Sequence, residues 1–160
     1  MICRRAAAFV NEAQECLGGA GYVEESILPR LYRQAPLNSI WEGSGNIQCL
    51  DVLRALKREP AAVAAVVAEL DGACGLDPAF DAHVDLLQGE LVRGGEEAGA
   101  RLLTERLALG LQAAVLLRAG SPAAPAFVRS RLQGARGLAF GTLPSDLDTA
   151  PLIARALPAS

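Results

Sequence analysis

The chain has 160 residues, room for one domain or one and a half small ones, with 51% apolar side chains, 4% aromatics and a net charge of −3. That charge gives no general attraction to nucleic acid, and no apolar run reaches the roughly 20 residues of a membrane span. With so few aromatics the core must be Ala, Leu and Val, which suits close helix–helix packing better than strands and predicts an all-α fold.

Residues 2–17 read as a helix, because Ala7, Val10, Ala13, Gln14 and Leu17 recur at helical spacing, and Gly18, Gly19 and Gly21 stop it. A polar Glu24-Glu25-Ser26 step leads to a short helix over 27–34, bounded by Pro29 and Pro36. Asn38 and Ser39 open a tight connection that carries Glu42. A second long helix runs from Ser44 or Gly45 to Glu59, with Ile47, Leu50, Leu53, Ala55 and Leu56 along one side. Pro60 marks a seam, so the expected domains are 1–59 and 60–160. Beyond it the composition turns to Ala, Leu, Arg and Gly, and helices are predicted at 61–72, 78–92, 95–118, 123–139 and 147–156. Asp77-Pro78 pairs an N-cap with a proline at the first helical position. The 95–118 helix has little polar face and is expected to be central in a bundle. Pro158 to Ser160 are expected to fray.

Cys3, Cys16, Cys49 and Cys74 have no CxxC spacing, which predicts buried free thiols in a reducing cytoplasm and no metal site. His83 is the only histidine, which weighs against a zinc site and a His-based triad, and a structural role is expected for it.

The sharpest chemistry lies in Ile40-Trp41-Glu42-Gly43-Ser44-Gly45-Asn46. A carboxylate beside apolar groups is poorly hydrated, which raises its pKa and makes it a usable proton acceptor near neutral pH. From the residues alone the plainer reading is a surface or capping glutamate near a helix start, where negative charge complements the dipole. By themselves, Trp41 suits a core anchor and Ser44 a helix cap. Gly18-Gly19-Ala20-Gly21 is not a dinucleotide-binding loop, since a helix and not a strand precedes it. Arg33 could pair with a carboxylate or a phosphate, a solvated arginine being the plainer reading. Residues 61–160 hold eight basic and eleven acidic side chains, a poor supply for phosphate neutralisation, and Arg129, Arg131 and Arg136 read as a solvated face.

LGGAGY followed at this distance by IWEGSGNIQ resembles the C-terminal helical domain of acyl-CoA dehydrogenases. The fuller wording, GYVEES..PRLYR.AP.NSIWEGSGN.QCLDVLRAL, is most similar to the adaptive-response (AidB-type) branch, over roughly residues 2–58. The resemblance implies part of that helical bundle over 1–59, then an additional Ala/Leu/Arg-rich helical domain over 60–160. It implies FAD as cofactor and an acyl-CoA as substrate, with Glu42 removing the α-proton while a β-hydride passes to the flavin. It places Ser44 and Asn46 on the adenine side of FAD, where common relatives carry the longer Thr and Gln. Gly18 and Gly19 fall near the FAD of a neighbouring subunit, with Glu15 where many relatives have Gln, and Trp41 lines the acyl pocket. Cys3 to Val10 resembles the middle of a long family helix, so the chain is expected to be the tail of a split or truncated gene, with the family's N-terminal helical and β-barrel domains absent. The expected partner is a second copy or a complementary N-terminal dehydrogenase chain, because the missing helices would leave apolar surface on residues 2–17 and 47–56 uncovered. Some members of the branch are linked to DNA binding, which the acidic second half disfavours here.

Overall fold

The computed structural model describes residues 2–41 and 43–156, and all regular structure among them is helical. The α-helices are α1 (Ile2–Cys16), α2 (Gly19–Tyr22), α3 (Leu28–Gln34), α4 (Gly45–Arg58), α5 (Pro60–Asp71), α6 (Pro78–Val92), α7 (Ala100–Arg118), α8 (Ala124–Phe127) and α9 (Ala150–Ala156). Two compact units divide at Val52 and Leu53, inside α4, while the proline seam at residue 60 is the start of α5.

In the first unit, α2, α3 and a 3-10 segment at Ala35–Ser39 all pack against α1. Pro29 enters α3 in its first turn, where a missing N–H costs nothing. Among the described residues of this unit only Gln14, Gly21, Pro29 and Ala35 are buried. Ile2, Leu17, Tyr22, Ile40, Trp41 and Ile47 are exposed.

The second unit has the core. α7 packs against α5, α6, α8 and the turn after α8, the central place expected of the most apolar helix. Leu70, Phe80, Val84, Leu87, Leu103, Leu107, Ala113, Ala114 and Val128 are buried around it. Small residues set the spacing: a side chain at Gly110 would meet Leu70 Cδ2 at 3.3 Å and the His83 ring at 3.4 Å. Asp77 caps α6 through its side chain, accepting from Ala79 N at 2.8 Å and Phe80 N at 3.1 Å. His83 Nε2 lies 3.0 Å from the Arg106 carbonyl oxygen, joining α6 to α7, and the Arg106–Glu90 ion pair crosses the same seam.

Three expectations are corrected. The 123–139 helix ends at Leu132, because α8 passes into a π turn at Val128–Leu132 closed by Gln133 N donating to Val128 O at 3.1 Å. Ser130 Oγ there donates to Ala126 O at 2.6 Å, and Gly134 leaves helical space with φ 69°. The helix over 95–118 starts late: Gly94 and Gly95 have positive φ, a 3-10 turn covers Glu97–Gly99, and α7 begins at Ala100. The cysteines are free but not buried; Cys3, Cys16 and Cys74 are exposed and Cys49 is intermediate. Partial desolvation, then the charges of Asp81, Asp71 and Asp85, push the Cys74 thiol above its ordinary pKa. The fraying expected at Pro158 to Ser160 lies outside the described residues.

Candidate functional site

The motif residues 40–46 occupy the connection between the 3-10 segment and α4. Ser39 Oγ donates to Pro36 O at 2.9 Å, and the N–H groups of Ile40 and Trp41 both donate to Leu37 O at 2.9 Å. The Gly43 N–H donates to Ile40 O at 3.3 Å, turning the chain back. Gly43 has φ 122°, a conformation that side chains of L-residues rarely adopt. α4 then starts, with Gln48 N donating to Ser44 O at 3.1 Å. Glu42 itself lies outside the described residues. On one side of it in sequence, Trp41 is 70% exposed, so it is no core anchor of this unit. Ser44 and Asn46 are exposed at the start of α4.

The glycine loop is built around a side chain that the sequence reading missed. Gln14 is buried in α1 and donates through Nε2 to Gly21 O at 3.2 Å. A side chain at Gly21 would collide with the Gln14 carbonyl oxygen and approach its Cα to 2.8 Å, so glycine is required where α2 folds back. Gly18 turns the chain with φ 58°. Nothing lies within 4 Å of where a Cβ would stand on Gly18 or Gly19. Their backbone is therefore open to close approach by a flat group.

The structure does not bring these two sets together. The glycine loop follows the C-terminal end of α1, whereas Gly45 lies by its N-terminal end, with Arg4 Nη1 3.6 Å from where a Gly45 Cβ would stand. Between the ends lie the 15 residues of α1, about 22 Å of helix. Glu15 is exposed on α1. Arg33 pairs with Glu24 through two bonds of 2.6 and 3.1 Å, which settles its choice of anion within this unit. The Arg33 hydrogen bond holds the Glu24 carboxyl below its usual range.

In the second unit, Arg129 is bonded to Asp146 at 2.7 and 3.2 Å, and Arg136 Nε donates to Ser130 O at 3.1 Å. Arg129 and Arg136, read from the sequence as part of a solvated face, are thus engaged within the chain. A cleft of about 60 Å3 between Leu56, Val63, Leu91 and Leu103 has room for little more than water. Among the described residues no three His, Cys, Asp or Glu side chains come together as metal ligands, and no helix is long and apolar enough to cross a membrane.

The sequence that forms this glycine loop and proline-bounded short helix has known counterparts. Residues 1–57 match the model of the acyl-CoA dehydrogenase C-terminal domain. That stretch is similar to the C-terminal domain of the acyl-CoA dehydrogenases. AidB of Escherichia coli (strain K12), a protein carrying the acyl-CoA dehydrogenase name, is 44% identical over 138 residues, which is 86% of this chain. Acyl-CoA dehydrogenase family member 11 of Caenorhabditis elegans is 49% identical over 51 residues, 32% of this chain. The AidB similarity runs well past the 57 residues of the dehydrogenase domain and so takes in helices of the second unit. The chain spans 26% of the length of AidB and 8% of that of the nematode protein. The resemblance to the acyl-CoA dehydrogenase C-terminal domain, the resemblance to AidB and the all-α fold read from the sequence therefore stand.

Proposed function

We propose that this chain is the C-terminal portion of an FAD-dependent acyl-CoA dehydrogenase of AidB type, with Glu42 as the base for the α-proton and no turnover by itself. The observation that carries the reading is the dehydrogenase domain match across Ile40–Asn46, joined to a unit whose apolar faces are left open. The residues present suit FAD in two respects: the Gly18–Gly19 backbone is unobstructed, and Ser44 offers a hydroxyl and Asn46 an amide at an exposed helix start. FAD, when bound, supplies the hydride acceptor for the β-carbon.

This chain's own part is to hold and move a proton. A thioester α-carbon is a very weak acid, so the base must work in poor hydration, with its conjugate acid stable near neutral pH. Trp41 on one side supplies apolar surface, and an acyl chain laid against it would exclude water. Gly43 on the other side takes φ 122°, which lets the chain turn sharply there. The opposite placement of the glycine loop and the α4 start supports their serving two different cofactors in a paired assembly, not one.

The partner is a complementary N-terminal dehydrogenase segment, or a second copy. Apolar surface is worth about 25 cal/mol per Å2 when covered, and α1 and α4 present Ile2, Leu17 and Ile47 openly. Purified alone, the chain is expected to be colourless and self-associated. Mixed with an N-terminal dehydrogenase segment, it is expected to give a yellow complex that oxidises acyl-CoA, with Glu42→Gln abolishing turnover and sparing flavin retention. A clean monomer at micromolar concentration by light scattering, or full turnover in Glu42→Gln, overturns the reading. The non-catalytic alternative, a helical interaction module, is favoured by the same open faces; it predicts association without flavin or turnover in any mixture.

A further inference from the structure

We propose that Gln48 is a positioning residue for the turn that carries Glu42, a role that rests on the functional reading above. At Gly43, the residue after Glu42, a Cβ would stand 2.7 Å from Gln48 Nε2, 3.7 Å from its Cδ and 3.9 Å from its Cγ. The space a side chain would need at residue 43 is therefore filled by the Gln48 amide. Glycine here does two things: it adopts φ 122°, and it clears a seat for that amide.

The seat has a firm floor. Gln48 stands in the first turn of α4, and its own N–H is bonded to Ser44 O at 3.1 Å. Its side chain is rooted in the helix that carries Asn46 and begins just after Ser44, and it lies back over the turn. The amide thus couples the backbone beside the base to the element at whose start the two candidate cofactor contacts lie. The turn at Gly43 and those contacts are then held together, which suits a proton abstraction concerted with hydride loss.

The residue type suits the task. Lys or Arg at 48 would place a cation by the turn, favour the ionised carboxylate and weaken it as a base. Glu would place a like charge by the turn. Glutamine has the same reach with no charge, and its amide offers two donors and an acceptor.

The test uses the full-length chain and its single tryptophan, Trp41, which precedes Glu42. Gln48→Ala is expected to lower Trp41 fluorescence anisotropy, while far-UV circular dichroism and the midpoint of unfolding hold. In the Gly43→Ala background, where the new methyl has already displaced the amide, Gln48→Ala is expected to change nothing further. Equal losses in both backgrounds, or no loss with Gly43 present, overturn the proposal. In the complemented enzyme, Gln48→Ala is expected to lower kcat and spare KM. The functional reading fails separately. Coupling between 43 and 48 with undiminished turnover in Glu42→Gln removes the base, and with it the catalytic meaning of the clamp. Absence of coupling with lost turnover removes the clamp and leaves the base.

Discussion

The two units draw on similar amino acids and use them differently. Around α7, leucine, valine, alanine and Phe80 are stacked out of water, and Phe80 retains 0% exposure. Around α1, aliphatic and aromatic groups of the same kind lie at the surface, and Ala35 is the buried apolar side chain among the described residues, beside Pro29 and Gly21. The second unit is held by burial. The first is held by local backbone devices: the Gln14–Gly21 bond, the Gly18 turn, the paired acceptor at Leu37 O and the Glu24–Arg33 bridge. Burial makes a unit self-sufficient, whereas local devices only fix a conformation that something else must stabilise. The unit with the dehydrogenase motif is the dependent one.

The largest effect expected from breaking this contrast is Phe80→Ala, which should cost about 3–5 kcal/mol and lower the melting of the second unit by more than about 10 °C. Trp41→Ala should move melting hardly at all; comparable losses from both, read by calorimetry, would erase the contrast. Next comes Gly21→Ala, at about 1–3 kcal/mol, because the new methyl meets the α1 backbone and not a movable side chain. Hydrogen exchange should show the α1–α2 joint opening while α7 stays protected. Gln14→Leu should cost about 1 kcal/mol, the usual worth of one hydrogen bond, with the Gly21 carbonyl left unpartnered. The smallest effect is acid titration of the surface pairs. The arginine hydrogen bonds hold Glu24 and Asp146 below their usual values. Their contribution is therefore complete above the unfolded carboxylate pKa and is lost as pH falls through the lowered folded values. Both carboxylates are well exposed, so melting should shift only slightly across that window, and less still in high salt.

Much of this was legible in the chain because local chemistry decides it. Pro29, Pro60 and Pro78 start their helices, Asp77 caps α6, and Gly18 ends the first helical run where its φ allows. What escaped depended on a third dimension. Burial of the cysteines was inferred as though one core served the whole chain, yet the buried apolar side chains among the described residues gather in the second unit. The early end of the helix after Pro122 turns on Ser130 bonding back to Ala126 and on Gly134, neither of which breaks helical periodicity. At the site, the spelling of residues 40–46 marks the turn, but Gln48 and Gln14 have no signature, because what matters is the glycine each lies against.

The π turn at Val128–Leu132 also has a bearing on lineage. Such a turn is an α-helix carrying one residue too many, and each surplus residue rotates everything downstream by about 100°. Excising one residue there would restore ordinary winding and swing Arg129 and Asp146 out of phase, undoing their bond. One-residue length differences between close homologues are accordingly expected to fall within 128–132, where an ancestral insertion would have lodged without disturbing the helices before it.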